Sequence, residues 1–205
     1  MTSPGPAPLI IGIGGTTRPD STSERALAKA LQAAEALGAR TQLFGGALLS
    51  KIPIYDPATA ARCPELLELL EGVRQCDGVI IATPGYHGSV SGVVKNALDA
   101  LEGLRGDVRP YFDGRAVGCI VTADGWQAAG TTLSSLRTII HALRGWPTPL
   151  GVSFNPSMSP LFDEAGALRQ ERDAQMIAAL ADQVVDFAHM KATQLALAAQ
   201  PAGPA

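Results

Sequence analysis

The stretch IATPGYHGSVSGVVKNALDAL, from Ile81 to Leu101, decides how this chain folds. It begins as the end of an apolar run, Val79-Ile80-Ile81-Ala82, with no polar alternation, the pattern of a strand covered on both faces. Thr83-Pro84-Gly85-Tyr86-His87-Gly88 follows, and Pro84 is expected to stop the ladder while Gly85 and Gly88 let the backbone turn. Beyond Ser89, read as a helix N-cap, Val90, Val93, Val94, Ala97, Leu98 and Leu101 recur at the spacing of a helix with one buried stripe. The stretch is therefore strand, tight loop, helix. In an open α/β sheet such a loop lies at the carboxyl end of a strand, where ligands bind. Its tip, with Tyr86, His87 and free backbone N–H groups, suits a flat heteroaromatic ring with polar edges.

The same alternation runs outward in both directions. Upstream, Leu9 to Ile13 reads as a buried strand, Ser21 to Gly38 as a helix opened by the capping box Ser21-x-x-Glu24, and Arg40 to Phe44 as a second strand. The helix should bury Ala26, Leu27, Ala30, Leu31, Ala34 and Leu37. Gly45 to Pro57 reads as irregular, Pro64 to Gln75 as a helix and Asp77 to Ala82 as the third strand. Downstream come a polar loop from Gly103 to Asp113, a strand from Arg115 to Thr122, and a loop from Ala123 to Gln127. A helix from Thr131 to Leu143, a strand from Thr148 to Ser153, and one or two helices from Glu164 to Ala198 complete the chain. Strands alternating with helices predict a doubly wound five-stranded parallel sheet with helices on both faces. The expected organisation is one domain over 1–205, with tails at about 1–7 and 199–205 left disordered.

Composition narrows the classes of function. The 205 residues carry a net charge of −3, with 46% hydrophobic and 17% charged residues, and the pI is near 5.6. That balance gives no electrostatic footing for nucleic acid or an anionic membrane. Cys63, Cys76 and Cys119 form no C-x-x-C pair and are odd in number, which points to a reducing compartment and buried filler rather than disulfides or zinc. There is no basic and apolar leader at the N-terminus and no apolar run near the ~20 residues of a membrane span, so a cytoplasmic location is expected.

Three loops stand at the carboxyl ends of strands one, three and four. With the strand order 2-1-3-4-5 the first two meet at the switch point of the sheet. The first, Gly14 to Ser23, holds five hydroxyls and Arg18 and opens onto a helix N-terminus. That is either a phosphate site or an ordinary polar turn with Ser21 as its cap. It lacks the lysine of a P-loop and the third small residue of a dinucleotide fingerprint, so a terminal monophosphate fits better than a triphosphate. Asp20 must point outward for that reading. In the second loop Tyr86 is a ring-stacking candidate or a core aromatic, and Lys95 with Asp99 reads as a solvated helix pair. In the third, Asp124 and Gly125 form a possible far wall, while Trp126 reads as a core or subunit-contact residue. His141 and His189 fall on helices away from strand ends. No Ser-His-Asp order, carboxylate pair or metal cluster stands out, so a cofactor would carry the hard chemistry.

Two motifs turn this outline into a resemblance. Gly15-Thr16-Thr17-Arg18-Pro19-Asp20-Ser21-Thr22-Ser23 resembles the G-(S/T)-x-R-x-x-S-x-(N/S/T) phosphate loop of the NADPH-dependent FMN reductase family. Thr83 to Asp99 resembles that family's T-P-x-Y-(N/H)-x-S-x-(P/S)-G-x-(L/V)-K-N-(A/L)-(I/L)-D segment almost throughout, and the two lie roughly seventy residues apart in the right order. The resemblance spans roughly Leu9 to Ser153. It implies a flavodoxin-like fold and hydride transfer from NADPH or NADH to FMN with no obligatory acid or base residue. It implies that Thr16, Arg18, Ser21, Thr22 and Ser23 hold the phosphate. Pro84, Gly85, Tyr86 and His87 would line the flavin, with Ser89 close by and Asp124 and Gly125 opposite. The third loop departs from the family in being poorer in glycine. A homodimer or homotetramer is implied as well. Reduced flavin would either pass to a flavin-dependent monooxygenase or stay bound and reduce quinones, azo dyes or metal ions. A non-enzymatic electron carrier is the remaining alternative.

Overall fold

A computed structural model describes residues 6–58 and 63–199. The expected disordered tails fall mainly on 1–5 and 200–205, outside the described residues. Five parallel strands form the sheet: β1 (Leu9–Gly14), β2 (Arg40–Phe44), β3 (Gly78–Tyr86), β5 (Ala116–Thr122) and β6 (Trp146–Phe154), in the order β2-β1-β3-β5-β6. Counting the parallel strands alone, this is the predicted order 2-1-3-4-5. A short sixth strand, β4 (Ser89–Val90), pairs antiparallel with the end of β3.

Each central strand is apolar on both sides because each side meets a helix layer. Ile11 and Ile13, Val79 and Ile81, and Val117 and Cys119 pack under α3 (Pro64–Gln75), α4 (Gly92–Ala100) and α5 (Trp126–Ala142). Ile10, Ile80, Ala82, Ile120 and Val152 face α1 (Thr22–Ala36) and α6 (Glu171–Ala198). The second layer sits close. A Cβ at Gly118 would stand 2.7 Å from Leu180, and one at Gly12 would stand 2.8 Å from Leu31, so a larger residue at either position would push a leucine methyl of the covering helix aside.

Several boundaries differ from the sequence reading, each for a local reason. β3 does not stop at Pro84, which pairs with Thr122 in register, because β1 ends opposite Ala82 and leaves that side of β3 as an edge that tolerates proline. Ser89 is not a helix cap. It lies in β4, and Ser91 caps α4 instead by accepting a hydrogen bond from the Val94 N–H. Within the region read as irregular, Gly46–Leu49 forms a short helix, α2. α5 starts at Trp126, five residues earlier than expected, and α6 starts at Glu171, later than Glu164. β6 reaches from Trp146 to Phe154, beyond both expected ends. Leu37, expected in the buried stripe of α1, lies past the last turn as its C-cap and is exposed. Among the described residues no helix is long and apolar enough to cross a membrane.

Candidate functional site

The β1–α1 turn forms the first wall. The Arg18 N–H donates to the Thr16 hydroxyl at 3.0 Å, and that hydroxyl reaches the Arg18 carbonyl at 3.2 Å, which folds the turn on itself. Ser21 then takes an extended conformation, and its Oγ accepts from the Glu24 N–H at 3.3 Å as the N-cap of α1. Ser23 Oγ lies 3.3 Å from Ser21 Oγ, and both serines are buried, as is Thr16. The first N–H groups of α1 have no intrahelical partner, so this end offers amides and hydroxyls to an anion. Arg18 and Asp20 are exposed. The expected capping box is only half formed. The Glu24 carboxylate turns away from Ser21 and accepts the Gly46 N–H at 2.7 Å.

The second wall is the β3–β4 hairpin. Gly85 pairs with Val90 and Tyr86 with Ser89, leaving His87 and Gly88 as a two-residue turn with φ of 53° and 80°. Two consecutive positive φ values give the turn whose twist matches a hairpin, with glycine second. Thr83, fully buried, ties the hairpin back: its hydroxyl accepts the Ser91 N–H at 2.9 Å and donates to the Pro84 carbonyl at 3.0 Å. Tyr86 is 53% exposed, so it is not a core aromatic. Beneath it, a Cβ on Gly85 would meet Thr132 Oγ1 at 2.8 Å and Ala123 Cβ at 3.0 Å. That Thr132 hydroxyl is buried and has no hydrogen-bond partner.

The third wall follows β5. The Ala123 N–H donates to the Phe154 carbonyl at 3.0 Å, which aligns the ends of β5 and β6. Gly125, at φ 150°, turns the chain into α5 and caps it without a side-chain hydrogen bond.

These walls enclose one cleft of about 440 Å³ at the carboxyl edge of the sheet. Thr16, Arg18, Ser21, Thr22, Ser23, Pro84, Gly85, Tyr86, His87 and Asp124 all line it. Two expected site residues do not. Ser89 pairs with Tyr86 across the hairpin, and Gly125 sets the turn behind Asp124. Thr122 and Ala123 line it as part of the third loop, which the sequence reading sets over the far edge of the ring, while Ala128 and Pro156 escape that reading. Pro156 was findable, because it follows a strand end as the other loops do. Ala128 was not, because its position depends on α5 starting at Trp126. One end of the cleft thus offers hydroxyls, amides and a guanidinium, and the other a tyrosine ring and peptide edges. That donor set fits a phosphorylated ring compound the size of FMN. A larger hollow, about 600 Å³, is a shallow groove along α6 from Asp186 to Leu197, on a stretch of helix that packs beside the amino ends of β5 and β6 rather than their carboxyl ends. Among the described residues no group of three or more His, Cys, Asp or Glu side chains could hold a metal ion.

Two cysteine thiols lie deep in the sheet. Burial raises the Cys76 thiol from 9.0 to about 11 and the Cys119 thiol from 9.0 to about 12, so both are protonated at neutral pH.

Comparison with known proteins bears on the family and the fold. Residues 8–157 match the sequence model of the family described as NADPH-dependent FMN reductase. A curated relative, the FMN-dependent NADPH-azoreductase of Staphylococcus aureus, is 33% identical over 121 residues; the match covers 58% of this chain and 61% of that protein. Among solved structures, the apo form of the NADH:FMN oxidoreductase EMOB superposes with a TM-score of 0.65 at 21% identity, covering 95% of this chain and 92% of that one. The NAD(P)H:(acceptor) oxidoreductase FerB of Paracoccus denitrificans gives 0.66 at 20% identity, covering 90% and 99%. Likeness at these identities establishes the shared flavodoxin-like fold.

Proposed function

Since the chain belongs to the NADPH-dependent FMN reductase family, we propose that it is an oxidoreductase that holds FMN in the cleft and uses NADPH, or NADH, as donor. The observation that supports this most is the meeting of the hydroxyl-rich turn and the Tyr86 hairpin in one cleft of about 440 Å³. FMN, when bound, supplies the hydride and electron chemistry.

The residues divide the work of binding. Thr16, Ser21, Thr22 and Ser23 donate hydroxyls, and the α1 N-terminus donates amides, toward the phosphate, with Arg18 adding charge from the exposed rim. Pro84, Gly85, Tyr86 and His87 support the ring and its polar edge, and Ser89 fixes the hairpin from behind. Asp124 closes the far side, placed by Gly125. No side chain in the cleft is required as an acid or base; the task is positioning. The same reading takes 1–205 as one cytoplasmic domain that works as a homodimer or homotetramer.

The acceptor is proposed to be a small molecule reduced while FMN remains bound, as the name of the Staphylococcus aureus relative suggests. A second reading has reduced flavin leave for a flavin-dependent monooxygenase. It is favoured by Arg18 being, among the described residues, the one permanently positive side chain lining the cleft, and an exposed one, so the phosphate grip is light. Titration of the purified protein with FMN, read by flavin fluorescence, tests the common premise. NADPH oxidation over a range of FMN and acceptor concentrations then separates the readings. Saturable FMN dependence with a ternary pattern means release. A ping-pong pattern with flavin retained through desalting means a bound cofactor. Absence of both FMN binding and NADPH oxidation refutes the function.

A further inference from the structure

Beyond the far wall of the cleft lies a second hollow of about 350 Å³ that the proposed function leaves without a role. The two are neighbours along two backbone segments. Asp124 and Pro156 line the cleft, while Trp126 and Asn155 line the hollow. Trp126 is the first residue of α5 and is 62% exposed, with no aromatic partner among the described residues. Ser153, the penultimate residue of β6, brings to this hollow a buried hydroxyl with no hydrogen-bond partner. Arg172 borders it from the first turn of α6 and is exposed, with no ion pair or side-chain hydrogen bond among the described residues. The N-cap of α6, Gln170, gives that helix no side-chain cap; its amide donates instead to Ser159 Oγ at 2.8 Å. Asp173 also borders the hollow and offers an acceptor beside the cation.

These features describe a complementary ligand. An exposed indole face with no aromatic neighbour among the described residues can stack on a π-system. An unpaired guanidinium beside the Glu171 and Arg172 amides favours a phosphate-like anion, against the opposing charge of Glu171 and Asp173 in the same turn. Asp173 can accept a hydrogen bond from an exocyclic amine, and a ligand group would give the orphaned Ser153 hydroxyl a partner, whereas the Asn155 side-chain carbonyl is already taken by the Ser157 hydroxyl at 2.7 Å and the Met158 N–H at 3.3 Å. A hollow of this size holds one fused ring system.

We propose that this hollow is a second subsite of the reductase, taking an aromatic ring that carries a phosphate-like anion, with Trp126 as the stacking platform and Arg172 as the anion contact. The inference rests on the proposed reductase function. Two sources supply that chemistry: the adenosine 2′-phosphate end of NADPH, which would make Arg172 the residue that prefers NADPH over NADH, or an aromatic acceptor bearing a sulfonate.

The test uses the FMN-loaded full chain carrying Trp146→Phe, which leaves Trp126 as the sole indole. Adenosine 2′,5′-bisphosphate and a sulfonated naphthalene are each titrated against Trp126 fluorescence. The same titrations are repeated with Arg172→Gln, whose fold is checked by circular dichroism and thermal melting. Loss of one exposed Arg–oxyanion contact should weaken binding about tenfold, since 1.4 kcal/mol corresponds to a factor of ten. A tenfold weakening for the bisphosphate, with a matching fall in the NADPH to NADH ratio of kcat/KM, supports the subsite with the donor as its occupant. Weakening for the sulfonated ring alone, with that ratio unchanged, supports it with the acceptor as occupant. Saturable quenching that Arg172→Gln does not change for either probe, or no quenching by either, overturns it. If the subsite fails while FMN-dependent NADPH oxidation persists, the reductase function stands. If the oxidation itself is absent, that function falls and the quenching result speaks for the hollow alone.

Discussion

Gly85→Ala tests whether the hairpin under Tyr86 is held in place by the layer beneath it. The new Cβ would meet Thr132 Oγ1 at 2.8 Å and Ala123 Cβ at 3.0 Å, the first in the second turn of α5 and the second just before that helix, so the hairpin and the third wall must part by a few tenths of an ångström. Overpacking of this kind costs about 1–3 kcal/mol. Gly85 has no positive φ, so the substitution also restricts the unfolded chain and returns about 0.4–1 kcal/mol. The net expectation is a loss of roughly 1–2 kcal/mol from these two terms. Thr132→Ala deletes a buried hydroxyl that has no hydrogen-bond partner, and should be close to neutral. In the double variant the 2.8 Å contact is gone and only the Ala123 contact remains, so about half of the loss should return. A coupling of about 1 kcal/mol is therefore expected in a double-mutant cycle. Urea unfolding supplies the four stabilities, and FMN fluorescence supplies the four affinities, which should fall and recover in parallel because the hairpin lines the cleft. Additive effects, with Thr132→Ala giving no rescue in either measurement, would refute the account.

Three further outcomes follow from other parts of the fold. Ser21→Ala removes the α1 cap and one proposed phosphate donor, so stability should fall by about 1 kcal/mol while FMN affinity falls more than riboflavin affinity; equal losses for the two flavins, measured by fluorescence titration, would count against a phosphate role. Arg115, fully buried, donates to the carbonyls of Arg74, Cys76, Tyr111 and Asp113, and burial lowers its pKa; Arg115→Met strands those four oxygens and should cost about 3–5 kcal/mol in urea unfolding, with little change in FMN affinity per folded molecule. For Cys76 the folded thiol titrates near 11 against 9.0, so the unfolded chain loses its proton first as pH rises; this contribution to stability is complete below pH 9.0, declines between 9.0 and about 11, and thermal melting of Cys76→Ala should show a shallower alkaline decline than the parent.

The order of strands and the meeting of two loops were legible because both follow from local patterns. Apolar runs without alternation, such as Leu9 to Ile13 and Val79 to Ala82, admit only a sheet covered on both faces, and the switch point then follows from connectivity. What was not legible depends on tertiary context. Pro84 reads as a strand terminator, yet it sits in the ladder because β1 has already ended beside it. Ser89 and Ser91 are equally good caps as letters; the choice falls to Ser91 because the hairpin turn His87-Gly88 draws Ser89 into β4. Arg115 reads as a strand residue and gives no sign that four backbone carbonyls will enclose it, since carbonyls leave no signature in side-chain order.

Glu24 shows the same limit at the site itself and explains how an acidic residue can stand one turn inside an anion-binding helix end. As a sequence element it completes a capping box, which would set its carboxylate against the very amides a phosphate needs. The folded chain turns that carboxylate outward onto the Gly46 N–H at 2.7 Å, against the backs of Gly15 and Gly45. The approach is possible only because those positions lack side chains: a Cβ at Gly46 would overlap the Thr16 carbonyl, and one at Gly15 the Glu24 carboxylate. Three glycines therefore do together what none signals alone. They let the β2–α2 turn close behind the β1–α1 turn, give Glu24 a donor away from the cleft, and leave the N–H groups at the start of α1 facing an anion unopposed. The glycine in a phosphate-binding turn is usually read as room for the ligand; here Gly15 and Gly45 make room for the protein's own carboxylate, Gly46 lets the second turn close on Thr16, and the ligand gains by the carboxylate's removal.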